Sequence, residues 1–181
     1  RWNLFSYYIC PMSKSVINFY SGPAILPESV KQQAIQAIEN FENTGLSILE
    51  ISHRAKEFVA VMDSAQALAK ELMNLPENYA VLFLQGGASS QFHSVPYNLL
   101  DENKTAAYFD IGTWSKGAIS QAKLFGNVQV AASSADDNYN HIPKQFDIPN
   151  DAAYLHITTN ETIAGSQFHF DKNPKAFFGI D

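Results

Sequence analysis

The chain lacks several things that would send the reading elsewhere. It has one cysteine, Cys10, in 181 residues. That excludes an intrachain disulfide framework and fits a reducing compartment. Basic residues are outnumbered, 12 Lys and Arg against 18 Asp and Glu, for a formal net charge of -6. General nucleic-acid binding needs basic surface, so it is excluded, and any anion site must be a local pocket. No stretch is apolar enough and long enough to span a bilayer. Arg1 to Pro11 holds Trp2, Phe5, Tyr7 and Tyr8 but neither a clear apolar run nor a small-residue cleavage site, so no secretory signal is read there. Met12 looks like a natural start, and residues 1–14 are read as an N-terminal extension. His93, His141, His156 and His169 show no paired helical spacing of the kind zinc needs, and they are read as structural or surface residues. Internal repeats and low-complexity tracts are absent.

What is present is a 46% hydrophobic sequence with 17% charge, enough for a sizeable core. The most informative stretch runs from Tyr79 through Leu84 to Gln85-Gly86-Gly87-Ala88-Ser89-Ser90. Tyr79 to Leu84 is bulky or β-branched at nearly every position, which predicts a strand buried on both faces. Gly86 and Gly87 allow a sharp turn and close approach to a bound group. Ser89 or Ser90 is expected to cap the helix that follows, whose free N–H groups and positive dipole end suit a phosphate. This corner is not a P-loop, since no Gly-Lys-Ser/Thr follows, and it lacks the spaced glycines of the dinucleotide fingerprint. A plain turn with a helix cap would look the same in isolation.

Along the chain, Pro27-Glu28 opens a helix carrying Val30, Ala34, Ala37, Ile38 and Phe41 at helical spacing, which Asn43-Thr44-Gly45 should stop. Ser21 to Ala24 reads as a turn and Ile48 to Ile51 as a short extended piece. A second helix bears Phe58, Met62, Ala65, Ala69 and Leu72, ending at Asn74-Leu75-Pro76. A third should run from Ser90 to about Leu100, with Pro96 kinking it or sitting near its first turn. Thr105 to Asp110, Val128 to Ala132 and Ala152 to Thr158 read as strands. A helix between the first two runs from the Ile111 to Trp114 turn through Ala122. Alternating strands and helices predict a mainly parallel sheet covered by helices. Ligands of such sheets lie beyond the carboxyl ends of the strands. Gly86 to Ser90, Gly112 to Trp114 and Asn160 to Thr162 all fall there.

Four segments then become specific together: Asn18 to Ala24 (NFYSGPA), Glu50 to Phe58 (EISHRAKEF), Leu84 to Phe92 (LQGGASSQF) and Asn160 to Ile163 (NETI). In order and spacing they resemble the phosphoserine aminotransferase family, over about Ser15 to Gly165 and roughly the first half of such an enzyme. The resemblance implies an α/β fold, the large domain of the fold-type I pyridoxal-phosphate transferases. It makes residues 15–165 a partial large domain and residues 166–181 a divergent tail, with the C-terminal small domain absent. The implied activity is amino-group exchange between L-glutamate and 3-phosphohydroxypyruvate, serving serine and possibly pyridoxine biosynthesis, in a cytoplasmic homodimer. The implied cofactor is pyridoxal 5'-phosphate. Ala88 and Ser89 match the positions that hold its phosphate, Trp114 the aromatic that stacks on its ring, and Thr162 the hydroxyl that bonds the ring oxygen. Trp114 would serve equally as core, and Thr162 as a loop or capping residue. Arg54 matches the substrate carboxylate clamp, a role for a bidentate guanidinium, and His53 beside it touches the substrate phosphate or braces the loop.

The family's chemistry also needs a lysine that joins the cofactor and an acidic partner for its ring nitrogen. Both are expected beyond Asp181. Lys172 and Lys175 sit in a turn-like context and are not assigned, and Ala176 to Asp181 does not resemble the family's continuation. No catalytic residue is therefore assigned, and the chain is expected to be a truncated form, inactive alone. Two other readings compete. One is a nucleotide-binding or interaction domain of doubly wound type, which the missing dinucleotide spacing disfavours. The other is a serine hydrolase using Ser89 or Ser90 with His93, which lacks the Gly-x-Ser-x-Gly elbow.

Overall fold

The structure, a computed structural model, describes residues 17–20, 22 and 25–169. Arg1 to Pro11, most of the Ser21 to Ala24 turn, Lys172, Lys175 and Ala176 to Asp181 lie outside the described residues. The chain divides into two compact units, Arg1–Leu82 and Phe83–Asp181.

Among the described residues the first unit holds two α-helices. Helix α1, Glu28–Glu39, starts behind Pro27, whose missing N–H costs nothing at a helix entrance. It ends at Asn40, before the expected Gly45 stop, because Asn40 is already extended and its Oδ1 accepts the Gly45 amide at 2.8 Å. The Phe41 amide donates to Leu46 O at 2.8 Å, closing a loop that turns Phe41 inward. Gly45, at φ +78°, therefore serves that loop rather than capping the helix. Ile48 to Ile51 is a turn, not an extended piece: Glu50 N donates to Ser47 O at 3.0 Å, and Ser47 N returns to the Glu50 carboxylate at 2.9 Å. Helix α2, Lys56–Leu72, follows, and Asn74 at φ +50° turns the chain out of it ahead of Pro76.

The expected strand from Tyr79 to Leu84 does not form. Its residues pair with no strand among those described, and Leu82, Phe83 and Leu84 are more than half exposed. Its composition suits a buried strand, but a strand is stable only where a neighbour supplies the hydrogen bonds.

The second unit is a β/α layer. Helix α3, Gly87–Leu99, leads to β1, Thr105–Asp110, then α4, Thr113–Ala122, and β2, Asn127–Ser133. Strand β1 lies centrally and pairs in parallel with β2 on one side and with β3, Leu155–His156, on the other. Only two residues of the expected Ala152 to Thr158 strand enter the ladder, since β1 offers β3 only Ala107 and Tyr108 as partners. A bulge at Ala131 shifts the β2 register between Tyr108 and Phe109. Because side chains alternate along β1, two cores form. Ala107, Phe109 and Ile111 pack with Ala131, Ala132 and Phe168 on one face. Ala106 and Tyr108 pack with Leu100, Ala118, Ile119 and Ala122 on the other. A short antiparallel pair, β4 (Asn160–Glu161) with β5 (Ser166–Gln167), follows the sheet. Among the described residues no helix is long and apolar enough to cross a membrane.

Candidate cofactor cleft

Helix α3 begins earlier than Ser90 and is capped differently from the expectation. Its N-cap is Gly86 at φ +96°, a backbone conformation that glycine takes without strain, and no side chain caps it. Ser89 and Ser90 lie within its first turn instead of at the cap, and Pro96 lies in its last turn, where Leu100 N still reaches Pro96 O at 2.8 Å. The first-turn amides of any helix have no intrahelical partner. Here the residues from Gly87 to Ser89 are exposed.

The second helix entrance is built by side chains. Ser115 Oγ accepts the amides of Ile111 and Gly112, each at 2.9 Å, and donates to Gly112 O at 2.9 Å. Glu161 is fully buried. Its Oε1 accepts Ser115 N at 2.7 Å and its Oε2 accepts Trp114 N at 3.2 Å. A carboxylate on a helix N-terminus satisfies orphan amides and complements the dipole. Gly112 makes room for it: a Cβ there would stand 2.7 Å from Glu161 Cδ. The same strand-end segment holds Thr162, whose Oγ1 accepts the Trp114 indole N–H at 2.9 Å. That bond pins the indole plane while leaving the threonine proton free to donate.

These pieces surround one cleft of about 480 Å³, lined by Gly86 to Ser89 on one side, Trp114 on another and the stretch from His156 to Asn160 at the strand end. The volume is in the range of small-molecule sites. Of the residues expected from sequence, Ala88, Ser89 and Trp114 line it, and Thr162 is attached to Trp114. Arg54 and His53 lie in the first unit, exposed, in the turn ahead of α2, where Arg54 N meets Ser52 Oγ at 3.2 Å.

Three residues of this neighbourhood escaped the sequence reading: Glu161, His156 and Thr158. His156, expected as a structural or surface residue, stacks on Tyr108 and is among the residues lining the cleft. Burial holds its pKa below the ordinary histidine value, so the ring is neutral. The Nε2 of His156 and the Oγ1 of Thr158 are buried and have no hydrogen-bond partner among the described residues. The alternation of Tyr154, His156 and Thr158 within the expected Ala152 to Thr158 strand was the available signal. His93 by contrast stacks beside Tyr97 and against the edge of Phe125, as a structural residue does. Among the described residues no cluster of His, Cys, Asp and Glu is arranged to hold a metal.

A glycine-opened helix and a flat indole at the carboxyl end of a parallel sheet fit a phosphorylated ring. The fold is that of the large domain of the fold-type I pyridoxal-phosphate transferases. The chain belongs to the aminotransferase class-V family, whose model matches residues 16–175. It is 55% identical over 158 residues to a phosphoserine aminotransferase of Parabacteroides distasonis, covering 87% of this chain and 44% of that protein. It is 56% identical over 151 residues to the one of Flavobacterium johnsoniae, covering 83% of this chain and 42% of that protein. Among solved structures, a phosphoserine aminotransferase from Bacillus circulans subsp. alkalophilus superposes with a TM-score of 0.79 at 44% identity, over 87% of this chain and 45% of that one. A PLP-bound phosphoserine aminotransferase from Trichomonas vaginalis superposes at 0.72 with 33% identity, over 87% and 45%. The chain thus spans less than half the length of the relatives it matches. The family and these structures indicate pyridoxal phosphate as the cofactor of this fold.

Proposed function

We propose that this chain carries the cofactor-gripping part of a phosphoserine aminotransferase, which moves an amino group from L-glutamate to 3-phosphohydroxypyruvate and yields 2-oxoglutarate and O-phospho-L-serine. The observation that carries the reading is the convergence of the α3 entrance and Trp114 on one cleft at the end of β3. In this reading the first-turn amides at Ala88 and Ser89, with the Ser89 hydroxyl, hold the phosphate of pyridoxal phosphate. Trp114 covers the ring, and Thr162 orients Trp114 while donating its own proton toward the ring oxygen. Arg54 clamps a substrate carboxylate through two parallel hydrogen bonds, and His53 supports that loop. When bound, the cofactor supplies the electron sink that amino transfer requires. The enzyme works as a cytoplasmic homodimer in serine biosynthesis and, through a related phosphorylated substrate, in pyridoxine biosynthesis. The 181-residue chain by itself docks the cofactor without a covalent lysine bond and does not turn over.

Titration of the chain with pyridoxal phosphate, followed by borohydride treatment and peptide mapping, tests this. Saturable binding that inorganic phosphate competes away, with no lysine adduct, is the expected result. A stoichiometric adduct at one lysine with amino-transfer turnover would contradict the last part. Thermal stabilisation by a nicotinamide nucleotide and not by pyridoxal phosphate would favour the doubly wound nucleotide-binding reading.

A further inference from the structure

The entrances of α3 and α4 are finished in opposite ways. At α3 no side chain caps the first turn. At α4 the entrance is filled: Ser115 Oγ takes the amides of Ile111 and Gly112, and the Glu161 carboxylate takes those of Trp114 and Ser115. Glu161 is carried by the β4–β5 pair, which is held at its base. Glu161 is partnered with Ser166, its carbonyl accepts Gly165 N at 2.7 Å, and Phe168 N donates to Thr159 O at 2.9 Å. Phe168 itself is buried beside Phe109 in the core of the sheet. The next residue along, Thr162, takes the indole N–H of Trp114. Two adjacent residues of one anchored hairpin therefore hold Trp114 at both ends, main chain and ring edge. Burying a charge is costly, and a neutral side chain suffices to cap a helix. What a carboxylate adds is two acceptor oxygens in one plane. They fix two consecutive amides together, and with them the direction in which the Trp114 side chain leaves the helix.

We propose that Glu161 is a positioning residue for the ring platform: its carboxylate sets the main chain at Trp114 so that the indole stands at the cleft in the orientation that Thr162 then locks. The inference rests on the cofactor reading above and adds to it a residue that touches no cofactor. Gly112 belongs to the same device. A Cβ there would stand 2.7 Å from Glu161 Cδ and 2.8 Å from Oε2, and would push the carboxylate off its amides. Grip on the phosphate, at the α3 entrance, does not depend on it.

The test is a double-mutant cycle in the 181-residue chain. Glu161→Gln should weaken pyridoxal phosphate binding about fivefold, the size of a lost ring-stacking contact, and leave inorganic phosphate affinity unchanged. In a Trp114→Ala background the amide remains and the indole is gone. There the same change should alter pyridoxal phosphate affinity by less than about twofold. Gly112→Ala, which keeps Glu161 and its charge, should behave like Glu161→Gln in both backgrounds. An equal loss with and without the indole is what a helix cap alone would give, and it overturns the proposal. So does either variant binding pyridoxal phosphate as tightly as the parent. With Trp2→Phe leaving one tryptophan, anisotropy decay of the unliganded chain should show an indole without fast local swing, and Glu161→Gln should release it. If neither variant folds, the indole of the otherwise unchanged chain decides, and a freely swinging ring overturns the proposal. No binding of pyridoxal phosphate by the parent overturns the cofactor reading itself, a separate failure that the anisotropy measurement does not share.

Discussion

Glu161 shows what a single residue decides here. It is a charged side chain with no exposed surface, and it holds the two amides that open α4. Glu161→Gln keeps the shape and loses the charge, so it should destabilise the chain by about 1–2 kcal/mol. Glu161→Ala strands the amides and should cost about 3 kcal/mol, measurable in urea unfolding. Nothing local announced this role, because the partners stand 46 and 47 residues away and only the fold brings them together. His156 is the second such residue. Its neutral form is favoured in the fold by burial, and the unfolded chain binds the proton more readily. The stability it contributes is present above the ordinary histidine pKa of 6.5 and is lost as pH falls below it. Tyr108, which stacks on it, and Tyr154, which is hydrogen-bonded to Tyr108, have phenols pushed up chiefly by burial, so they stay neutral through that window. Unfolding midpoints taken from pH 7.5 to 5 should fall in the parent chain, and His156→Phe should flatten the slope.

Among the elements, β1 was legible to the residue, as Thr105–Asp110, and α4 at its Ala122 end, although the helix opens at Thr113, inside the expected Ile111 to Trp114 turn. Their local preferences agree with their surroundings, since β1 is flanked by strands on both sides and covered on both faces. Tyr79 to Leu84 reads as strongly as β1 but has no pairing partner, and pairing is settled by the fold rather than by the segment. The α3 entrance was legible as a glycine turn opening a helix, because glycine followed by small residues permits that turn whichever residue caps the helix. The cap itself was misread, since Gly86 took the left-handed conformation and the serines moved inside. Gly86→Ala forces φ +96° on a residue with a Cβ, which would also collide with the Ser90 side chain. It should lower stability by about 1–2 kcal/mol and weaken phosphate-competed pyridoxal phosphate binding.

At the scale of the whole molecule, composition argued against general nucleic-acid binding and an intrachain disulfide framework, and the motif set reached the family before any geometry did. Composition does not reveal how little of the first unit is buried. Neither α1 nor α2 contains a fully buried residue, and Val30, Ile35, Ile38, Val61 and Leu68 are all exposed. Apolar surface on that scale favours association. In keeping with the homodimer reading, sedimentation should give about twice the 20.1 kDa chain mass, and a purely monomeric boundary would count against it.

The central claim is that one strand-end cleft grips the cofactor through main-chain amides and covers it with an indole. A crystal of the 181-residue chain soaked with pyridoxal phosphate tests this most directly. The account predicts the phosphate within hydrogen-bonding distance of the Ala88 and Ser89 amides and the pyridine ring against Trp114. A phosphate bound elsewhere, or a ring away from Trp114, would contradict it.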